Sequence, residues 1–122
     1  MNLTAFGKAP IVRMLAPAAL AALLGMSTGV QAAAIDVDAA MALAKKNDCF
    51  KCHAVDKTKK GPSYKKIAAK YKGKADGEQK IITNITTAPK VKLEDGTEED
   101  HKTIGTKDAN ELKNLAQWIL SL

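Results

Sequence analysis

The sequence predicts a small all-α protein with a single domain. Once an N-terminal leader is set aside, roughly ninety of the 122 residues remain, which is enough for one small domain. Within that part, apolar residues recur three and four positions apart in several separate stretches, as they do on one face of a helix. Glycine and proline turn signals separate these stretches, and no repeat interrupts them.

The first residues have the features of a cleaved export signal. Lys8 and Arg13 form a basic beginning, an apolar run follows from Met14 to Met26, and small residues after that run offer a cleavage site. We therefore predict a signal peptide at residues 1–34 and the folded domain at residues 35–122. The apolar run is shorter than the roughly 20 residues that span a membrane, so we expect export to the periplasm without stable membrane insertion.

Two helices are predicted in the first half of the domain. Asp36 and Asp38 precede an alanine-rich run that ends at Asn47, and acidic residues stabilise the positive N-terminus of a helix. A polar loop follows, and Pro62-Ser63 then provides a good helix start. The apolar positions of this second helix are Tyr64, Ile67, Ala68 and Tyr71, and Gly73 ends it.

The second half contains two further amphipathic stretches. Gly77 to Thr86 has isoleucines at helical spacing, although its isoleucine and threonine content is also compatible with a strand. Residues 90–106 are predicted to be a polar loop with a turn at Asp95-Gly96. Asp108, followed three positions later by an acid, predicts the start of the last helix. One face of that helix carries Leu112, Leu115, Ala116 and Ile119.

The stretch Cys49-Phe50-Lys51-Cys52-His53 carries the most specific chemical signal. Two cysteines three positions apart, followed directly by a histidine, form the attachment signature of a c-type haem. Each thiol adds to one vinyl group of the porphyrin, and the imidazole of His53 then lies beneath the iron as its proximal ligand. We predict one covalently attached haem c in the middle of the core, where a flat apolar macrocycle supplies surface that a short chain with few aromatic residues lacks.

Other chemistries use part of the same pattern. A thioredoxin-like cysteine pair is expected after a βαβ pattern, whereas a helix is predicted before Cys49. A zinc site needs a shorter spacing than that between His53 and His101. A disulfide between Cys49 and Cys52 closes a very short loop, where the entropic gain is least and the geometry is strained. Covalent haem is favoured, and a thiol oxidoreductase without haem is the alternative that experiment must exclude.

Charge is distributed unevenly along the domain. Residues 45–92 contain fourteen lysines and four acids, whereas residues 93–111 contain seven acids and two lysines. The predicted domain has no arginine and no basic patch interleaved with aromatic residues, which argues against nucleic acid as a partner. Hydrated, mobile lysines suit brief docking, so we expect a monomer that meets an acidic redox protein through a lysine-rich face.

In the order of its parts the chain resembles a small class I bacterial cytochrome c. The resemblance rests on the first helix, the motif at residues 49–53, Gly61-Pro62-Ser63-Tyr64 and the last helix, and it covers essentially the whole predicted domain. It implies a cytochrome c fold with three to four helices wrapped around one haem. It further implies that the Pro62 carbonyl accepts the Nδ1 hydrogen of His53, which fixes the tautomer of that ring. The implied function is one-electron transfer without enzymatic activity.

The chain departs from that family in two respects. The first helix presents Leu43 and Ala44 where the family usually has an aromatic residue, so its crossing with the last helix is either closer or less filled. The family's distal ligand is normally a methionine before the last helix, but no methionine follows the haem motif here.

His101 stands roughly where that methionine is expected, and neutral imidazole is a good iron ligand. We predict His101 as the distal ligand of a bis-His haem. The alternatives are a solvated His101 with an open iron position, or weak coordination by a lysine or asparagine. Such a protein would bind a small ligand or sense redox state through a labile distal site. The loop around His101 has no evident apolar anchor, so we expect it to be the least stable part of the fold.

Overall fold

A computed structural model describes Gly7 and residues 32–122, and residues 32–122 form one compact unit. The predicted signal peptide therefore lies almost entirely outside the described residues. The described part contains five helices and one two-stranded sheet: α1 (Val37–Lys46), α2 (Cys49–Cys52), α3 (Tyr64–Tyr71), α4 (Gly77–Thr87), β1 (Lys90–Lys92), β2 (Glu98–Asp100) and α5 (Ala109–Ser121). None of these helices is long and apolar enough to cross a membrane.

Three of the helices begin at side-chain caps that the sequence predicts. Asp36 caps α1, Ser63 caps α3 and Asp108 caps α5. Each side chain accepts a hydrogen bond from a backbone N–H in the first turn of its helix, at 2.9, 3.2 and 2.8 Å respectively. Because these bonds satisfy amides that have no partner within the helix, the helix starts are encoded locally.

The polar loop predicted for residues 90–106 contains a short antiparallel hairpin, which corrects the expectation of purely helical structure. β1 pairs with β2 in a register that sets Lys90 opposite Asp100, and their side chains form an ion pair at 2.9 Å. The turn expected at Asp95-Gly96 is present, with Gly96 at a φ of +85°. The sequence does not predict α2 as a separate element, so the described residues contain five helices instead of three or four.

Helix α1 packs on α5 through small residues. The buried residues of α1 are Ala40 and Ala44, and Ala116 of α5 is also fully buried. Small side chains allow helix axes to approach closely, and their full burial is what the closer of the two expected crossings requires. The side-chain amide of Asn114 also hydrogen-bonds both backbone groups of Asp36, accepting from its N–H and donating to its C=O, each at 2.8 Å.

Candidate functional site

Helix α2 is a single turn that places Cys49 and Cys52 on one face. Residues three apart on a helix are neighbours, and both cysteines are half-buried free thiols that line the same cavity. Burial raises the pKa of the Cys49 thiol. His53 ends this turn with its backbone N–H bonded to the Cys49 carbonyl at 2.9 Å. The structure therefore brings the three residues of the motif together at one wall of the cavity.

The ring of His53 is held in one tautomer by the backbone. Its Nδ1 lies 2.6 Å from the carbonyl oxygen of Pro62, the hydrogen bond expected from the sequence. A carbonyl only accepts, so Nδ1 carries the hydrogen and Nε2 keeps its lone pair for a metal. Burial lowers the pKa of His53, which further favours the neutral imidazole. Gly61 lies beside the same edge of the ring, and a Cβ added there would approach the His53 Cε1 atom to 2.8 Å.

Tyr64 connects His53 to the core. The two rings stack with centroids 5.3 Å apart and an interplanar angle of 25°. Tyr64 is buried and meets Trp118 of α5 edge-on at 5.3 Å and Phe50 at 5.8 Å. Such aromatic pairs are stabilising beyond their buried area. The sequence identified Gly61-Pro62-Ser63-Tyr64 only as a supporting motif, and the close approach of Gly61 and the stacking of Tyr64 emerge from the fold.

A cavity of about 580 Å³ extends from the attachment turn. This volume lies within the roughly 300–1,000 Å³ typical of small-molecule and cofactor sites. Helices α3, α4 and α5 and strand β1 contribute its apolar walls, and the hairpin closes one side. The apolar and aromatic lining residues are Tyr64, Ile67, Tyr71, Ile81, Ile85, Val91, Leu93, Leu115 and Ile119. The expectation of a cofactor in the middle of the core fits this arrangement.

His101 lies across the cavity from His53. The two imidazole centroids are 6.1 Å apart, with the ring planes tilted by 39°. Two imidazoles that share one metal ion through bonds of about 2.0–2.1 Å have centroids roughly 6 Å apart, which is close to the separation of these two rings. The Nδ1 atom of His101 is buried and has no hydrogen-bond partner among the described residues. A buried polar atom of this kind calls for a ligand, a water or an ion.

The expectation that no apolar residue anchors the loop around His101 is wrong. Ile104 is only 7 % exposed and belongs to the hydrophobic core. Its N–H donates to the Ile85 carbonyl at 2.8 Å, and the His101 N–H donates to the Pro89 carbonyl at 2.9 Å. The backbone at the end of α4 and just after it therefore holds the segment that carries His101 in place.

Comparison with known proteins agrees with the geometry. The cytochrome c family model matches residues 37–122. The chain belongs to the cytochrome c family. It is 34 % identical to cytochrome c-551 of Pseudomonas denitrificans over 84 residues, which is 66 % of this chain and 93 % of that protein. Similarity to cytochrome c-551 of Allochromatium vinosum, 38 % over 45 residues, covers 37 % of this chain and only about half of that protein, 48 %.

A solved structure extends the agreement to the fold. The class 1 cytochrome MtoD of Sideroxydans lithotrophicus ES-1 is 58 % identical, with a TM-score of 0.69 over 72 % of this chain and 97 % of that one. The chain is a small class I c-type cytochrome with the cytochrome c fold, and its cofactor is one covalently attached haem c. The pattern Cys49-x-x-Cys52 followed by His53 fits the attachment motif of this family.

Proposed function

We propose that this cytochrome c is a one-electron carrier whose haem iron is bound by His53 and His101. The observation that carries the proposal is the pair of imidazoles facing each other across the cavity at 6.1 Å. Bound haem supplies an iron ion that alternates between Fe(III) and Fe(II). Cys49 and Cys52 hold the macrocycle by thioether bonds, and Pro62 orients His53 toward the iron.

The cavity wall supports electron transfer without enzymatic conversion of a substrate. Most of the surface of the wall is apolar and would exclude water from the macrocycle. His53 and His101 would together hold the iron of a bound haem and leave no open position for a substrate. The protein therefore stores and passes an electron, and we propose that it does so in the periplasm. A cell-fractionation experiment with osmotic release of periplasmic protein tests the location.

The test of the ligand assignment is the pair of variants His101→Ala and His101→Met. In the wild type we expect a low-spin ferric spectrum from two imidazoles, and in His101→Ala a high-spin spectrum or one that accepts added ligands. His101→Met offers a thioether, which raises the potential of a cytochrome c relative to imidazole. An unchanged spectrum and potential in His101→Ala would show that another residue is the ligand.

Covalent attachment has its own test. A pyridine haemochrome assay and a haem-stained denaturing gel should both report haem c on the wild type and lose the signal in the Cys49→Ser, Cys52→Ser double variant. If the wild type carried no covalent haem, Cys49 and Cys52 would be better explained as the cysteine pair of a thiol oxidoreductase.

The second candidate function is a haem protein with a labile distal position. It is favoured by the exposure of the elements around His101, because every residue of β2 is exposed and the ion pair between Lys90 and Asp100 is also exposed. Binding of carbon monoxide to the reduced wild type at the extent seen in His101→Ala would support this function. If the wild type excludes carbon monoxide while His101→Ala binds it, the function as an electron carrier is supported.

We further propose that an acidic redox protein docks on the lysines around the cavity. Lys66, Lys70 and Lys92 line the cavity, and Lys70 and Lys74 both lie over the ring of Tyr71, at 5.2 and 5.9 Å. Exposed lysines steer acidic partners at long range, and salt screens that attraction within about 10 Å at 0.1 M ionic strength.

Charge-neutralising variants test the docking surface. Lys66→Gln and Lys70→Gln should slow electron transfer to the partner and flatten its salt dependence. The matched control is the pair Lys45→Gln and Lys46→Gln, which removes the same charge from the end of α1, away from the cavity lining. Equal effects of the two pairs would show that only net charge matters, and a flat salt profile in the wild type would rule out electrostatic docking. Sedimentation of the carrier should report a monomer.

A further inference from the structure

The segment from His101 to Gly105 is attached to the protein on two sides. On one side, the carbonyls of Ile85 in α4 and of Pro89 just after that helix accept backbone hydrogen bonds from the segment, and the Ile104 side chain is buried in the core. On the other side, the segment reaches the corner between α1 and α2. The Gly105 N–H donates to Asn47 Oδ1 at 2.9 Å, and Lys102 Nζ donates to Asp48 Oδ2 at 2.8 Å.

Asn47 uses both ends of its side-chain amide. Its Oδ1 accepts from Gly105, while its Nδ2 donates to the Leu43 carbonyl at 2.9 Å. The second bond reaches a carbonyl in the last turns of α1 that also accepts the backbone N–H of Asn47, at 3.2 Å. Asn47 therefore joins the end of α1 to a segment that lies 58 positions later in the chain.

Asp48 makes an equivalent connection with a charge. Its carboxylate pairs with Lys102 through one oxygen and with Lys51 of α2 through the other, the latter at 3.3 Å. The backbone of Asp48 is in the left-handed region, with a φ of 59°, a conformation that aspartate and asparagine tolerate better than most residues. One carboxylate thus contacts both the attachment turn and the segment that carries His101.

We propose that Asn47 and Asp48 form a latch that holds the His101 segment closed over the haem. These two residues directly precede Cys49, so the same short stretch that begins the attachment turn also contacts the segment that carries His101. Asn47 and Asp48 are positioning residues: they act on His101 through Gly105 and Lys102. The role of the latch in iron ligation rests on the proposed function, in which His101 binds the iron.

Ligand exchange in the ferric holoprotein measures the latch, with imidazole as the probe. Imidazole replaces His101 only when the segment opens, so its apparent affinity reports the population of the open form. Asn47→Ala removes the bond to Gly105 and should raise the imidazole affinity about three- to tenfold, as expected for one net hydrogen bond.

Asn47→Asp is the matched variant. It keeps an acceptor for the Gly105 N–H and loses the donor to Leu43, so it should retain an imidazole affinity close to that of the wild type. If the two variants raised the affinity equally, Asn47 would act only as the cap of α1 and the latch would be wrong.

The ion pair is tested by its salt dependence. Asp48→Asn keeps the shape of the side chain and tolerates the left-handed backbone, but it removes the charge that Lys102 contacts. We expect the imidazole affinity of the wild type to rise with ionic strength, and that of Asp48→Asn to be higher at low salt and nearly flat. Lys51→Gln is the control, because Lys51 pairs with Asp48 without touching the distal segment. A Lys51→Gln protein that behaved like Asp48→Asn would contradict the latch.

Amide hydrogen exchange separates this inference from the ligand assignment. Exchange at His101, Ile104 and Gly105 should be faster in Asn47→Ala than in Asn47→Asp, whichever residue binds the iron. If exchange does not change, the latch is overturned even where His101 proves to be the ligand. If exchange is faster while His101→Ala leaves the spectrum unchanged, the latch stands and the proposed iron ligation falls. A third outcome is possible if His101 is confirmed as the ligand. If Asn47→Ala then exchanges faster but binds imidazole no more tightly, the latch does not control ligation.

Discussion

The two imidazoles that face each other across the cavity are held by different kinds of interaction. His53 stacks on a buried tyrosine, donates to the Pro62 carbonyl and lies against Gly61. His101 follows an exposed strand and is held by backbone hydrogen bonds, one buried isoleucine and surface charges. Packing in a core is insensitive to salt and pH, whereas exposed ion pairs depend on both. The proximal side is therefore fixed by the fold, and the distal side responds to the solution.

Removing the ring of Tyr64 should give the largest effect on stability. Tyr64→Ala deletes the surface on which His53 stacks and leaves a cavity beside Trp118, so it should lower the unfolding free energy by about 3–5 kcal/mol. Guanidinium titration of the holoprotein measures the change. Tyr64→Phe keeps the ring and serves as the control, and a similar loss in both variants would mean that the stacked ring is not the cause.

The corresponding test on the distal side is Ile104→Ala. Ile104 is the apolar anchor of the His101 segment, and its truncation should cost about 2–4 kcal/mol of unfolding free energy. The ferric protein should also bind imidazole more tightly, because the segment opens more often. Ile35→Ala is the control, since Ile35 is 38 % exposed and its truncation should change little. A negligible cost for Ile104→Ala would show that charges alone hold the distal side.

Alanine substitutions of two glycines compare how tightly the surroundings of His53 and of His101 are packed. Gly61→Ala sets a Cβ 2.8 Å from His53 Cε1, so the ring must shift, at a cost of about 1–3 kcal/mol and with a changed ferric spectrum. Gly105→Ala meets Asn47 Oδ1 at 3.6 Å, which is ordinary contact, and should be tolerated. Spectra and thermal melts of the two variants provide the measurement. A larger perturbation from Gly105→Ala would contradict the view that the His53 side is the more rigid of the two.

The smallest expected effect is the loss of stability at low pH when the Asp48 carboxylate is protonated. Hydrogen bonding and attraction to Lys102, then to Lys51, hold the pKa of Asp48 below its ordinary value. A carboxyl with a lowered folded pKa stabilises the protein above its unfolded pKa of about 4, and this contribution is lost as the pH falls through the folded value. The difference in stability between wild type and Asp48→Asn should therefore be present at pH 7 and shrink below about pH 4. A difference that stayed constant down to pH 3 would mean that the charge of Asp48 is not responsible.

Much of the proximal side is predictable because its signals are local. The motif at residues 49–53 and the capping residues Asp36, Ser63 and Asp108 each act within a few positions of the chain. Helix α4 was also anticipated, although its isoleucines and threonines are compatible with a strand, and its packing against α5 decides in favour of helix.

The distal side depends on contacts that no local pattern reveals. Strand β1 is a three-residue strand with one apolar residue, Val91, and β2 is entirely acidic, so neither gives a clear strand pattern. Their pairing is supported by opposite charges such as Lys90 and Asp100. Ile104 is a single apolar residue among polar neighbours, and its burial follows from the bond of its backbone to Ile85. The contacts of Asn47 and Asp48 with the distal segment span 58 and 54 positions. Only the folded chain shows that His101 has an anchor.

The paired hydrogen bonds between Asn114 and Asp36 join the start of the domain to its last helix. They join positions 78 residues apart, and α5 supplies five of the twelve buried hydrophobic residues. A nascent chain that lacks its last fourteen residues therefore has neither the partner of α1 nor nearly half of its buried apolar side chains. Without that helix, we expect the turn that contains Cys49 and Cys52 to belong to an incompletely packed chain.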